Sequence, residues 1–127
     1  MSFFYIMDDP SVDDHHRHEE IVVLTAGGDI DYSATPQLRE RIADCIHAGK
    51  RHVVLDLNKV TFIDSTAIGV LIGALIRLQD AGGGSVMVVC DEYNKRVMRI
   101  FEIAGVDNLI ALYNTREEAL LALTVAS

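Results

Sequence analysis

The residues best placed to do chemistry are three polar side chains in a row, Asp64, Ser65 and Thr66, at the centre of the segment Phe62-Ile63-Asp64-Ser65-Thr66-Ala67-Ile68-Gly69-Val70. Before them runs Val53-Val54-Leu55-Asp56-Leu57, an apolar stretch rich in β-branched residues, which is the pattern of a buried strand. After them, from Ala67 to Ile76, no side chain is polar, a run too short to cross a membrane but suited to a helix. The trio therefore stands at a helix start, where the first backbone N–H groups lack partners and the helix dipole is positive. Any one of the three would serve as an N-cap. Three in succession exceed what a cap needs, and the helix is apolar beyond the roughly 100° stripe that core burial requires, so part of it is expected to face a partner. Gly69 and Gly73, on one side of that helix, would admit another backbone at close range or equally pack the helix on its own sheet.

Other groups are weaker candidates. Asp29 and Asp31 follow the strand Ile21-Val22-Val23-Leu24-Thr25 and the pair Gly27-Gly28, and aspartates just past a strand end are where open sheets place their chemistry. A D-x-D in that position is similar to the haloacid-dehalogenase phosphatases, which need a carboxylate nucleophile and a second carboxylate beside Mg²⁺. The two glycines interrupt the apolar run such a site requires, and the chain is short for that fold. His15, His16 and His18, with Asp13 and Asp14, are suitable transition-metal ligands. Nothing between Asp8 and Glu20 fixes a coordination geometry, so a solvated loop is expected there. No catalytic residue, metal or cofactor is assigned. Cys45 and Cys90 are far apart with no CxxC, which predicts two buried free thiols in a reducing compartment.

The elements that position these groups follow in order. Ser2 to Met7 is short and aromatic, as an outer strand can be. After the second strand, Thr35-Pro36 opens a helix, with Thr as the cap and Pro where its missing N–H costs nothing. Leu38, Ile42, Cys45 and Ile46 form its apolar face, and Gly49 ends it. The central strand and helix close at Gly82-Gly83-Gly84, and Val86-Met87-Val88-Val89-Cys90 repeats the buried-strand pattern. Strand, helix, strand with a long connection implies parallel pairing. Val97, Ile100, Phe101 and Ala104 mark a third helix that Gly105 stops, Leu109 to Leu112 a last strand, and Thr115-Arg116-Glu117-Glu118 a capping box before a final helix. The expected fold class is α/β, one domain spanning residues 1–127, with a mixed sheet of about five strands and about four helices.

At 127 residues with half of them hydrophobic, the chain can bury a substantial core. Its net charge of −8 argues against a nucleic-acid or anionic-membrane surface. The N-terminus lacks the basic region and apolar core of a signal peptide, so a cytoplasmic protein is expected.

From about Ile21 to Leu123 the chain resembles a known family. Gly28-Asp29-Ile30-Asp31, Thr35-Pro36-Gln37-Leu38-Arg39-Glu40, Val54-Leu55-Asp56-Leu57, Phe62 to Leu71 and Phe101-Glu102-Ile103-Ala104-Gly105 are similar, in order and spacing, to the anti-sigma factor antagonists built on the STAS domain. The resemblance implies that Ser65 is phosphorylated by a partner anti-sigma factor, a serine kinase of the GHKL type, with Thr66 as second choice and Asp31 and Asp64 near the phosphosite. It implies that the unphosphorylated form binds the anti-sigma factor and releases the sigma factor, and that a PP2C-type phosphatase restores that form. Partner contacts are expected at Ala67, Ile68, Gly69, Ile72 and Gly73. Ala67 stands where the family usually has Gly, and its methyl is expected to hinder a kinase. Two other readings stay open. One is a receiver-like phosphoacceptor at Asp56, disfavoured because the first two strands are consecutive. The other is a STAS scaffold in a stress-signalling assembly that needs no kinase. The exposed helix face also allows a homodimer.

Overall fold

The computed structural model describes residues 3–9 and 20–125. The histidine-rich stretch considered as a metal site, Asp13 to His18, lies outside them; among the described residues no group of His, Cys, Asp and Glu could hold a metal. The elements run β1 (Phe4–Asp8), β2 (Ile21–Ile30), α1 (Thr35–His47), β3 (His52–Ile63), α2 (Ser65–Asp80), β4 (Ser85–Val89), α3 (Lys95–Ala104), β5 (Ala111–Tyr113) and α4 (Arg116–Val125). The five strands form one mixed sheet in the order β1-β2-β3-β4-β5. β1 is antiparallel to β2 at one edge, and β2, β3, β4 and β5 are mutually parallel. No helix among the described residues is long and apolar enough to cross a membrane.

The alternation of buried side chains shows why the middle strands read as unbroken apolar runs. Val22, Leu24, Val53, Leu55, Val86 and Val88 point to one face, where Leu38 of α1, Leu71 of α2 and Phe101 of α3 meet them. Val23, Val54, Met87 and Val89 point to the other, where Ala119 and Leu123 of α4 cover them. With helices on both faces, neither side of these strands calls for polar residues. Cys45 and Cys90 are both free and buried, and burial, with Asp91 and Asp56 nearby, pushes the Cys90 thiol up to about 11.

The strands are longer than their sequences suggest. β2 does not stop at Gly27-Gly28 but runs on to Ile30, and β3 continues past Leu57 through Asn58, Lys59 and Thr61 to Ile63. Each extension is the other's partner: Gly27 pairs with Lys59, Gly28 with Val60 and Ile30 with Ile63, with register shifts between them. The glycines serve β1. A Cβ on Gly27 would lie 2.3 Å from the Tyr5 ring, and one on Gly28, where φ is +85°, would lie 2.0 Å from the carbonyl oxygen of Phe3. The edge strand can lie against β2 only where those side chains are missing.

Candidate functional site

The paired ends of β2 and β3 bring Asp31 and Asp64 together. Each is the residue immediately after the Ile30–Ile63 pair, and the Asp64 amide donates to the Ile30 carbonyl at 3.2 Å. Both carboxylates then organise the turn that follows in the same way. Asp64 Oδ1 accepts from the Thr66 amide at 3.0 Å, the Thr66 hydroxyl at 2.5 Å and the Ala67 amide at 3.3 Å. Asp31 Oδ1 accepts from the Ser33 amide at 3.0 Å, the Ser33 hydroxyl at 2.5 Å and the Ala34 amide at 3.2 Å. Asp64 is the N-cap of α2, in extended backbone geometry. The trio is thus divided in function: Asp64 caps, Thr66 is tied to the cap, and Ser65 is the first helical residue.

Ser65 is exposed, and its hydroxyl makes no hydrogen bond with any described residue. This separates it from Thr66, whose hydroxyl is committed to Asp64. Of the first-turn amides that would otherwise cradle an anion, those of Thr66 and Ala67 already donate to Asp64. A charge added at Ser65 would therefore meet the adjoining Asp64 carboxylate, with the helix dipole as the compensating field.

The face that α2 presents differs from the expectation. Ala67 is 0% and Ile68 4% exposed; both sit in the core and are not surface contacts. The Ala67 methyl points inward and cannot obstruct an approaching protein. The accessible residues of the helix are Ser65, Thr66, Gly69, Gly73, Ile76, Arg77, Gln79 and Asp80, with Ile72 partly exposed. A Cβ added at Gly69 or Gly73 would meet nothing within 4 Å, so packing on the protein's own sheet does not explain either glycine. In a helix interior each costs about 1 kcal/mol relative to Ala. Beside this face, α1 and α2 enclose a groove of about 580 Å³ bordered by Arg39, Ile42, Thr66, Gly69, Gly73 and Arg77. Tyr32, 75% exposed, and Phe62, 43% exposed, lie at the carboxyl ends of β2 and β3, the same end of the sheet as Ser65. Arg77 and Tyr32 carry no local sequence signal, and Arg39 and Phe62 lie in recognisable motifs that do not mark them as site residues.

The other sequence candidates have structural employment. Asp56, which a receiver would phosphorylate, is buried. Its Oδ2 accepts from Arg116 Nε at 2.7 Å and its Oδ1 from the Asn58 amide at 2.9 Å. The Arg116 guanidinium also reaches Asp9 and donates to the Thr25 hydroxyl, joining the start of α4 to β2, β3 and the end of β1. Burial works against its charge, but the bonds to Asp56 and Asp9 outweigh that and raise its pKa. Asp29 lies within β2 and accepts from the Thr61 hydroxyl at 2.8 Å, while Asp31 serves its own turn, so the pair does not form a shared phosphatase-like centre. Thr35, expected to cap α1, is inside that helix with its hydroxyl on the Tyr32 carbonyl at 2.8 Å, and the cap position is Ala34.

The comparisons with known proteins agree with this fold. A family model described as the STAS domain matches residues 14–119. The chain belongs to the STAS domain family. A curated relative, an anti-sigma F factor antagonist from Paenibacillus polymyxa, is 29% identical over 115 residues, covering 90% of this chain and 94% of its own. Among solved structures, an anti-sigma factor antagonist from Mycobacterium paratuberculosis shares the fold with a TM-score of 0.77 at 23% identity, covering 94% of this chain and 93% of that one. SpoIIAA, an anti-sigma factor antagonist, matches in its unphosphorylated form with a TM-score of 0.75 at 20% identity, over 94% of this chain and 96% of that one. The phosphorylated form of the Bacillus protein SpoIIAA matches at 0.64 and 18% identity, over 94% of this chain and 99% of that one.

Proposed function

We propose that this STAS domain is an anti-sigma factor antagonist whose binding is controlled by phosphorylation at Ser65. The observation that carries the reading is the exposed Ser65 hydroxyl, without a hydrogen bond to any described residue, at the first position of a helix whose cap is otherwise complete. The unphosphorylated chain docks through the Ser65 end of α2, its exposed Gly69 and Gly73 and its half-buried Ile72 onto an anti-sigma factor that is itself a GHKL-type serine kinase, and the sigma factor is freed. Phosphorylation adds about −1.5 to −2 charges beside Asp64 and Asp31. In the closed interface that charge is desolvated and repelled; a loss of ~3 to 4 kcal/mol lowers affinity by several hundred-fold. A PP2C-type phosphatase reverses the step. The chain itself performs no turnover in this scheme and works in the cytoplasm as one STAS unit.

The test is a pull-down from native lysate with wild type, Ser65→Ala and Ser65→Asp, partners identified by mass spectrometry, followed by kinase assay with the purified partner. A GHKL-type kinase recovered with wild type and Ser65→Ala but not with Ser65→Asp is the expected result. Thr66→Val should keep full phosphate stoichiometry. Identical partners on all three baits would reduce Ser65 to a helix residue and favour a scaffold role.

A further inference from the structure

The groove between α1 and α2 reverses the sign of the rest of the molecule. The chain carries 19 acidic and 11 basic residues, yet the lining of this groove includes Arg39 and Arg77 and no carboxylate. Neither arginine has an ion pair or hydrogen-bonded partner for its side chain among the described residues, whereas Arg41 is paired with Asp8, Arg51 donates to the Gly82 and Gly83 carbonyls, and Arg116 is held by two aspartates. The floor between them is made of Gly69 and Gly73, with open space above both. Arg39 lies in the second turn of α1 and Arg77 in the fourth turn of α2, so one cation borders the groove from each helix, Arg39 toward the start of its helix and Arg77 toward the end of its own. Thr66, next to Ser65, lines the upper end, so the groove is continuous with the proposed docking edge.

We propose that this groove receives an amphipathic helix of the anti-sigma factor, with small or apolar residues against Gly69 and Gly73 and two carboxylates on the same face pairing with Arg39 and Arg77. The inference rests on the proposed function for the identity of the partner. Two helices standing side by side leave a trough into which a third can pack, and glycines on the floor let its axis come closer than larger side chains would. A pair of guanidinium groups fixes the direction and register of that helix, because only one orientation brings both carboxylates to their partners. In a chain of net charge −8 the same pair supplies the local attraction that an acidic partner segment needs.

The experiment is calorimetric titration of the purified GHKL-type kinase with Arg39→Glu, Arg77→Glu, the double variant and Gly73→Trp, using Ser65→Ala as the unphosphorylatable background and urea midpoints as the check on folding. Each reversal should weaken binding by about tenfold and the double variant by about a hundredfold, with a flatter dependence on salt. Gly73→Trp, which fills the floor without touching charge, should abolish binding. If the double variant and Gly73→Trp bind like the parent while Ser65→Asp does not bind, the groove assignment falls and the Ser65 reading stands. If the kinase binds Ser65→Asp as well as it binds wild type, or binds no form of the chain, the functional reading fails and the groove assignment with it.

Discussion

Asp31 and Asp64 build the same turn twice. Each sits one residue past a paired strand end, and each uses one oxygen to hold the amide and hydroxyl two residues on and the amide three residues on. What differs is the residue carried at the corner. Beside Asp31 it is Tyr32, a large side chain left 75% exposed; beside Asp64 it is Ser65, with a hydroxyl that no described residue engages. The helices that follow differ too. α1 starts four residues after Asp31, at Thr35, whereas α2 starts directly after Asp64 and exposes two glycines. Cap geometry is therefore not what distinguishes a regulatory site. In the proposed function it is the unengaged hydroxyl at the corner and the accessible helix below it that do so, and only one of the two turns has both.

That comparison can be broken most sharply by moving the serine. Phosphate incorporation by the partner kinase should fall from one per chain to none in Ser65→Ala, and adding Tyr32→Ser to that variant should not restore it, as read by intact mass. Restoration would mean that the turn alone recruits the kinase and that α2 contributes nothing. A smaller effect should separate the caps thermodynamically. Asp64→Ala removes a true N-cap and should lower stability by about 1–2 kcal/mol in urea titration, while Asp31→Ala, which loosens a turn ahead of its helix, should cost about half as much. Equal losses would make the turns interchangeable. The smallest effect has the opposite sign: Gly69→Ala and Gly73→Ala should each stabilise the chain by up to ~1 kcal/mol, because nothing in the fold opposes the added methyl, while weakening partner binding. A stabilised variant with unchanged affinity would show that the exposed face of α2 is not approached closely.

The order of strands and helices was legible because each element carries a local signature: β-branched runs for the parallel strands, Pro36 at the start of α1, Gly105 in the left-handed region at the end of α3, and Thr115, whose hydroxyl accepts from the Glu118 amide at 3.1 Å. The trio at the start of α2 was legible for the same reason. The second halves of β2 and β3 were not. Gly27-Gly28 and Asn58-Lys59 favour turns locally, and they become strand only by pairing with one another across more than thirty positions of sequence. The inward direction of Ala67 and Ile68 also escaped a reading of composition, since an all-apolar helix does not announce which of its sides meets the sheet. The role of Asp56 depended on Arg116, sixty residues away, and no local pattern links them.

The unengaged hydroxyl of Ser65 has a consequence for timing. Because it holds nothing in place among the described residues, esterifying it would remove no internal bond and hydrolysing the ester would have none to rebuild. Under the proposed function, a switch of that kind would have no hysteresis of its own. It would keep one bit in a single covalent bond, and the tempo at which that bit is written and erased would belong to the enzymes that add and remove the phosphate.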